Sequence, residues 1–353
     1  MKRAKPSWLA RIAVLALAVS VFVACDEDET GPSLSDTGAS VSSVINQFMT
    51  QNEGLESLEF FGAYIADVLA PVAPVGPALV PESHTIAGLT KGIRASLDKL
   101  RAPRATIPPD FLGVTFVYDP GQSAYVPSER MGAPETGVRF ILYDNPSELN
   151  EIGYLDFIDE SDFGAQPAVI DVWLEVFLTG VGTVLDYTIT GTAMEGSGDL
   201  TFDGYLSDGT ETLFFEFVFA AEDATAWDAT FTLTFENLSL ALELSELPNG
   251  SQSITITIED SDNDNSIVFD ISVDEMGEVQ AGSGITVNDV LVAIISGNVD
   301  DDTVTITNAE GDPLTNEEIN ALAQIFAGLL GAFIVMQHIF AFGIGLIGLS
   351  FFV

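Results

Sequence analysis

From Phe111 to Asn308 apolar and polar residues alternate, and no other feature of the sequence constrains its fold as strongly. Successive side chains of an extended chain point to opposite faces, so a period of two sorts each strand into an apolar and a wet side. "TLFFEFVFA" places Leu213, Phe215, Phe217 and Phe219 together. "TFTLTFENLSLALEL" sets Phe231, Leu233 and Phe235 against Thr232, Thr234 and Glu236, and "SITITIED" sets Ile254, Ile256 and Ile258 against Thr255, Thr257 and Glu259. "VIDVWLEVFL" is apolar on one face and mixed on the other. Acidic or glycine-bearing turns, "SDGTE", "PNGSQ", "DSDNDNS" and "EMGE", separate the runs. The pattern predicts a mainly β fold, an antiparallel meander with one buried and one wet face. A sheet so long and one-sided is expected to curl or to pack on a partner.

Partners are offered at both ends. Residues 44–104 carry apolar positions at helical spacing, including Val44, Ile45, Phe48, Leu55, Leu58, Phe61 and Leu69, broken by the proline-rich "APVAPVGPALVP". At the other end Thr315 reads as a helix N-cap, with Glu317 and Glu318 in the first turn. No charge follows Glu318, and the stretch 326–353 is apolar throughout apart from Gln337, His338 and Ser350. Its length suits a membrane span. Against that, no Lys or Arg flanks it, and its polar pair falls mid-span. The competing expectation is a helix packed on the apolar face of the sheet, since a helix hydrophobic all round is found in either place.

The formal charge is −42, from 53 acidic and 11 basic residues, and no Lys or Arg follows Arg139. Nucleic-acid and phosphoryl-transfer functions need cations and are disfavoured. The same field attracts cations and keeps a chain with 47% hydrophobic residues soluble. Cys25 is the only cysteine, so no intrachain disulfide is available, and 24 Phe supply much of the core.

Cys25 follows a cationic start (Lys2, Arg3, Lys5, Arg11) and an apolar run from Ile12 to Ala24 that is too short to span a bilayer. Phe22, Val23, Ala24 and Cys25 are similar to the lipobox of bacterial lipoproteins, which usually has Leu where Phe22 stands. That resemblance covers only the start of the chain. It implies cleavage after residue 24, acylation of Cys25 and stable anchoring, because two or more acyl chains hold where one does not. It places the protein in the bacterial cell envelope, exported through the inner membrane. Asp26, directly after the cysteine, resembles the inner-membrane retention signal of some bacteria, and the choice between inner and outer membrane stays open. The organisation expected is a signal peptide at 1–24, an acidic flexible tether at 25–43, a helical segment at 44–104, an antiparallel β domain at 105–308 and an apolar helix at 309–353.

Few residues announce chemistry. His84, in "VPESHT", lacks a local catalytic pattern, and His338 has no second His or Cys for a zinc site. Asp260, Asp262 and Asp264 alternate like the opening ligands of a Ca²⁺-binding loop. Asn265 then stands where glycine is wanted and Ile271 where the bidentate Glu should be, so a polar hairpin turn explains the same residues. Trp173 and Trp227 could stack on sugars but sit in strand-like runs, and carboxylates are too numerous to single out a pair.

In layout the chain resembles the half-barrel of the outer-membrane lipoprotein carrier family, a likeness that no motif carries. It implies a non-catalytic, membrane-anchored protein that binds an apolar ligand or lipid between sheet and helix. The alternatives are an envelope lipoprotein with a filled core and no ligand, or a secreted hydrolase.

Overall fold

The computed structural model describes residues 107–323, apart from 123, 144–148, 163, 195–196, 208, 223–225, 263, 302 and 317. The signal peptide, the tether, the helical segment 44–104 and the apolar stretch 326–353 lie outside the described residues, as do Cys25, His84 and His338.

The fold is mainly β. A 3₁₀ turn at Pro109–Phe111 leads into β1 (Val114–Asp119), β2 (Ala124–Ser128), β3 (Gly137–Tyr143), β4 (Glu151–Asp159) and β5 (Ala168–Leu178). There follow β6 (Gly182–Met194), β7 (Ser197–Ser207), β8 (Thr212–Ala221), β9 (Trp227–Phe235) and β10 (Leu238–Glu246). The series ends with β11 (Gln252–Asp260), β12 (Asn265–Val273), β13 (Gly284–Val287), β14 (Val290–Ser296) and β15 (Thr305–Asn308). The hydrogen-bonded order is β2-β1-β3, then each strand beside its sequence neighbour to β15. The meander therefore begins with an exception. After the β1–β2 hairpin the chain passes to the far side of β1, where β3 pairs with it in parallel. Contacts divide the chain into two compact units whose boundary falls inside β8, between Val218 and Phe219.

In the unit up to Val218, Val138, Phe157, Leu174, Tyr187 and Gly204 are successive cross-strand partners. They form one row of the core face, and Leu174, Ile189 and Phe202 on that face are 0% exposed. Gly204 stands opposite Tyr187, whose ring also meets Phe202 and Phe215. A Cβ at Gly204 would lie 2.1 Å from the Asp186 carbonyl oxygen, so this strand pairing closes only around glycine. In the unit from Phe219 the equivalent rows are Phe231–Leu242–Ile256–Phe269–Ile285 and Leu233–Leu240–Ile258–Ile267–Val287. The predicted faces are the observed ones: Leu213, Phe215, Phe217 and Phe219 are buried, as are Phe231, Leu233 and Phe235. Ile256 alone among the named isoleucines is partly exposed.

Turns follow their local chemistry. Gly209, Gly250 and Gly277, in three of the predicted turns, have positive φ, the conformation glycine adopts without strain. Both lateral ends of the strand order are blunt. β15 has four residues, and β2 carries Pro127, which has no amide proton to offer a further strand. A helix begins at Asn316 behind a capping box. The Thr315 amide and hydroxyl donate to Glu318 Oε2 at 2.7 and 2.8 Å, and the Glu318 amide turns back to Thr315 Oγ1 at 3.4 Å.

The Gly204 contact yields a test. Gly204→Ala should destabilise the protein by about 1–3 kcal/mol, because the neighbouring backbone must move to admit the methyl group. Chemical denaturation of the variant measures it, and an unchanged midpoint would contradict the pairing of Gly204 with Tyr187.

Candidate functional site

The face of β3–β7 opposite the core is neither apolar nor simply wet. Cross-strand pairing lines up Thr115, Arg139, Asp156, Glu175, Asp186 and Tyr205, one from each of β1 and β3–β7. Directly paired side chains share a face, with Cβ atoms about 5 Å apart. A second row on the same face carries Ile141, Tyr154, Phe177 and Thr183. A third carries Ile158, Trp173, Thr188 and Asp203.

Arg139 organises one half of the site. Its Nε and one terminal nitrogen donate to the two Asp156 oxygens, both at 2.6 Å. Its guanidinium carbon lies 3.7 Å from the centre of the Tyr154 ring. The cation is thus held by a bidentate carboxylate and an aromatic face at once. The hydrogen bond to Asp156 is also the main reason the guanidinium holds its proton even more firmly than usual. The pair is largely withdrawn from water, with side-chain exposures of 20% for Arg139 and 8% for Asp156. Arg130, by contrast, pairs with Glu151 in open solvent, where an ion pair contributes little.

The other half has carboxylates without a cation. Tyr154 donates its hydroxyl to Glu175 Oε1 at 3.2 Å, and Trp173 Nε1 donates to Asp186 Oδ1 at 2.7 Å. Tyr154 stacks on Phe177 with ring centres 5.0 Å apart. Tyr205 meets Phe214, which is 54% exposed, at 6.1 Å. Glu175 stands between Asp156 and Asp186. Burial pushes its carboxyl above the ordinary range, and the two flanking acids add to the shift against the hydrogen bond from Tyr154. The phenols of Tyr154 and Tyr205 are likewise raised, first by burial and then by nearby carboxylates.

The residues singled out from sequence fall elsewhere. Asp260, Asp262 and Asp264 bracket the β11–β12 hairpin turn. Asp260 is buried, and its Oδ1 accepts the Asn237 side-chain amide at 2.9 Å and the Asp262 backbone amide at 3.1 Å. Asp264 has φ +52°, a turn conformation. Among the described residues no group of three or more His, Cys, Asp or Glu is placed to hold a metal ion. In "NVDDDT" the organiser is Asn298, which accepts the amides of Asp300 and Asp301 and donates to Met276 O and Glu278. Trp227 is buried and donates to Glu246 at 2.7 Å. Trp173 is the tryptophan that belongs to the acidic row. Among the described residues no helix is long and apolar enough to cross a membrane, which says nothing of strands.

No family model, known protein or solved structure matches this chain.

Two outcomes follow from the row. Arg139→Met should destabilise by about 3 kcal/mol, since it strands the Asp156 carboxylate. Glu175→Gln should do the opposite. A raised carboxyl means that the folded state holds more protons than the unfolded one just above the ordinary Glu range, so its ionisation erodes stability as pH rises through that window. The amide keeps an acceptor for Tyr154 and removes the repulsion. Thermal unfolding should show a gain on the order of 0.5 kcal/mol at neutral pH that fades below about pH 4, where the native carboxyl is already protonated.

Proposed function

We propose that the protein is a non-catalytic lipoprotein of the bacterial cell envelope, anchored through Cys25, that binds its partner on the outward face of the sheet. In this reading the interior is filled by the protein's own side chains. The observation that supports it is the complete burial of large apolar side chains on the core face of each unit. Leu174, Ile189, Phe202, Phe219, Ile267, Ile285 and Val287 are each 0% exposed. A ligand cavity has a volume of about 300–1,000 Å³, and a void of that size would leave its lining open to a water-sized sphere. The outward face of β3–β7, in contrast, presents partly exposed aromatic rings and carboxylates, the residue types that recognise ligands.

One observation favours the reading with an apolar ligand inside. The Tyr187 hydroxyl is buried in the core and has no hydrogen-bond partner among the described residues. Its phenol is pushed far up by burial alone. A water or the polar end of a ligand would satisfy it.

The experiments separate these readings. Mass spectrometry of the protein extracted from membranes should show Cys25 as the first residue, carrying acyl groups. Cys25→Ser should abolish membrane attachment. Native spectra after removal of detergent should show no further lipid, and a stoichiometric non-covalent acyl ligand would overturn the filled core. Tyr187→Phe should leave stability unchanged or raise it. A loss above about 1 kcal/mol would instead mean that the hydroxyl has a bound partner.

A further inference from the structure

We propose that Met131, Met194 and Met276 are reversible oxidation sites, thioethers that take an oxygen atom from a hydroperoxide and return it through a reductase while the fold stays intact. The inference is independent of where the protein is anchored and of what its sheet binds. Methionine is among the residue types most often buried, a flexible filler of gaps in cores. Here the core has none. Among the described residues its large apolar side chains are Phe, Leu, Ile, Val, Tyr and Trp. All three described methionines lie at the surface instead. Met131 and Met276 sit in the β2–β3 and β12–β13 connections, and Met194 is the last residue of β6. Their exposures are 94% for Met131, 65% for Met276 and 54% for Met194.

At each position the neighbouring chain is fastened while the methionine side chain reaches solvent. Before Met131, Arg130 pairs with Glu151. After it, Gly132 packs so closely that an added Cβ would lie 3.0 Å from Arg139 Nη1. Met194 pairs with Ser197 across the β6–β7 turn. The Met276 amide donates to Asp274 Oδ1 at 2.9 Å, and its carbonyl oxygen accepts from Asn298 Nδ2 at 3.0 Å. None of these contacts involves a thioether. Oxidation makes a methionine polar, which disrupts a core but costs little where water already surrounds the side chain.

The step is a two-electron oxygen transfer. The sulfur attacks the terminal oxygen of the hydroperoxide, and the S–O bond forms as the O–O bond breaks. The leaving oxygen takes up a proton and departs as water or an alcohol. The sulfur is oxidised and the peroxide is reduced. The transfer needs no catalytic side chain, so exposure governs its rate. In the reverse direction a sulfoxide reductase consumes two thiols, which leave as a disulfide, and the oxygen departs as water.

The test doses the full-length protein in mild detergent with hydrogen peroxide and reads each methionine by peptide mass spectrometry. Met131 should gain an oxygen atom at a rate within about threefold of a free methionine peptide, because exposure sets susceptibility. Met276 and Met194 should follow in the order of their exposure. The triple variant Met131→Leu, Met194→Leu, Met276→Leu should fold with an unchanged denaturation midpoint and take up three fewer oxygen atoms per chain. Peroxide should move the midpoint of the native protein no further than that of the triple variant, which isolates these three side chains from the other methionines. Methionine sulfoxide reductases for both sulfoxide epimers, supplied with dithiothreitol, should restore all three in the folded protein. Oxidation more than about tenfold slower than in the peptide, a larger midpoint shift in the native protein than in the variant, or sulfoxides that the reductases do not reach would each overturn the proposal. Protection of the three in membranes that carry the protein, absent from the purified protein, would overturn it too, since it assigns these side chains to a partner surface.

Discussion

Alternate residues of each long strand leave water together, and the rest of the structure depends on that withdrawal. The chain has no intrachain disulfide to help, because its one cysteine has no second thiol to meet. Rows such as Phe231–Leu242–Ile256–Phe269–Ile285 place large apolar side chains against one another strand after strand. With 53 acidic residues the arrangement has a corollary. Nearly every carboxylate in a strand is forced onto the other face or to the strand ends, where water can solvate it. The wet face is therefore where the electrostatic character of the protein is concentrated.

On that face one guanidinium has a large role. Arg139 is the last cation in the sequence, and it lies mid-strand rather than in a turn. It neutralises Asp156 and leaves Glu175 and Asp186 to repel each other across paired strands. Either of those acids could be an amide and still accept the hydrogen bond it accepts now.

Much of the fold was legible in the residues. The alternation in "TLFFEFVFA" and "TFTLTF" gave the right faces because burial enforces a period of two, and a slip by one residue would turn every phenylalanine to water. Thr315 was readable as a cap because Thr followed at the third position by Glu satisfies two helix-end amides locally. The parallel pairing of β1 with β3 was not legible, since nothing in either strand records which neighbour lies beyond the hairpin. The acidic row was hidden for a related reason. Arg139, Asp156, Glu175 and Asp186 become neighbours only through register, and irregularities at Leu142/Tyr143 and Val176/Phe177 displace that register from simple counting. The available signals were a lone arginine inside "GVRFILY" and the mixed face of "VIDVWLEVFL". The spacing of Asp260, Asp262 and Asp264 fitted both a Ca²⁺ loop and a polar hairpin turn, and the structure shows the Asp260 carboxylate accepting the turn's own amides.

The blunt ends of the strand order have a consequence if the proposed lipid anchor holds the protein to a membrane. Under the anchored reading, copies of this protein share a two-dimensional surface and meet far more often than they would in bulk solution. An open sheet with a long free edge would then recruit its neighbours strand by strand into fibres. Pro127 interrupts the amide donors at one margin, and at the other β15 offers only four residues. Crowding on such a surface would then bring the wet faces of neighbouring copies together without joining their sheets.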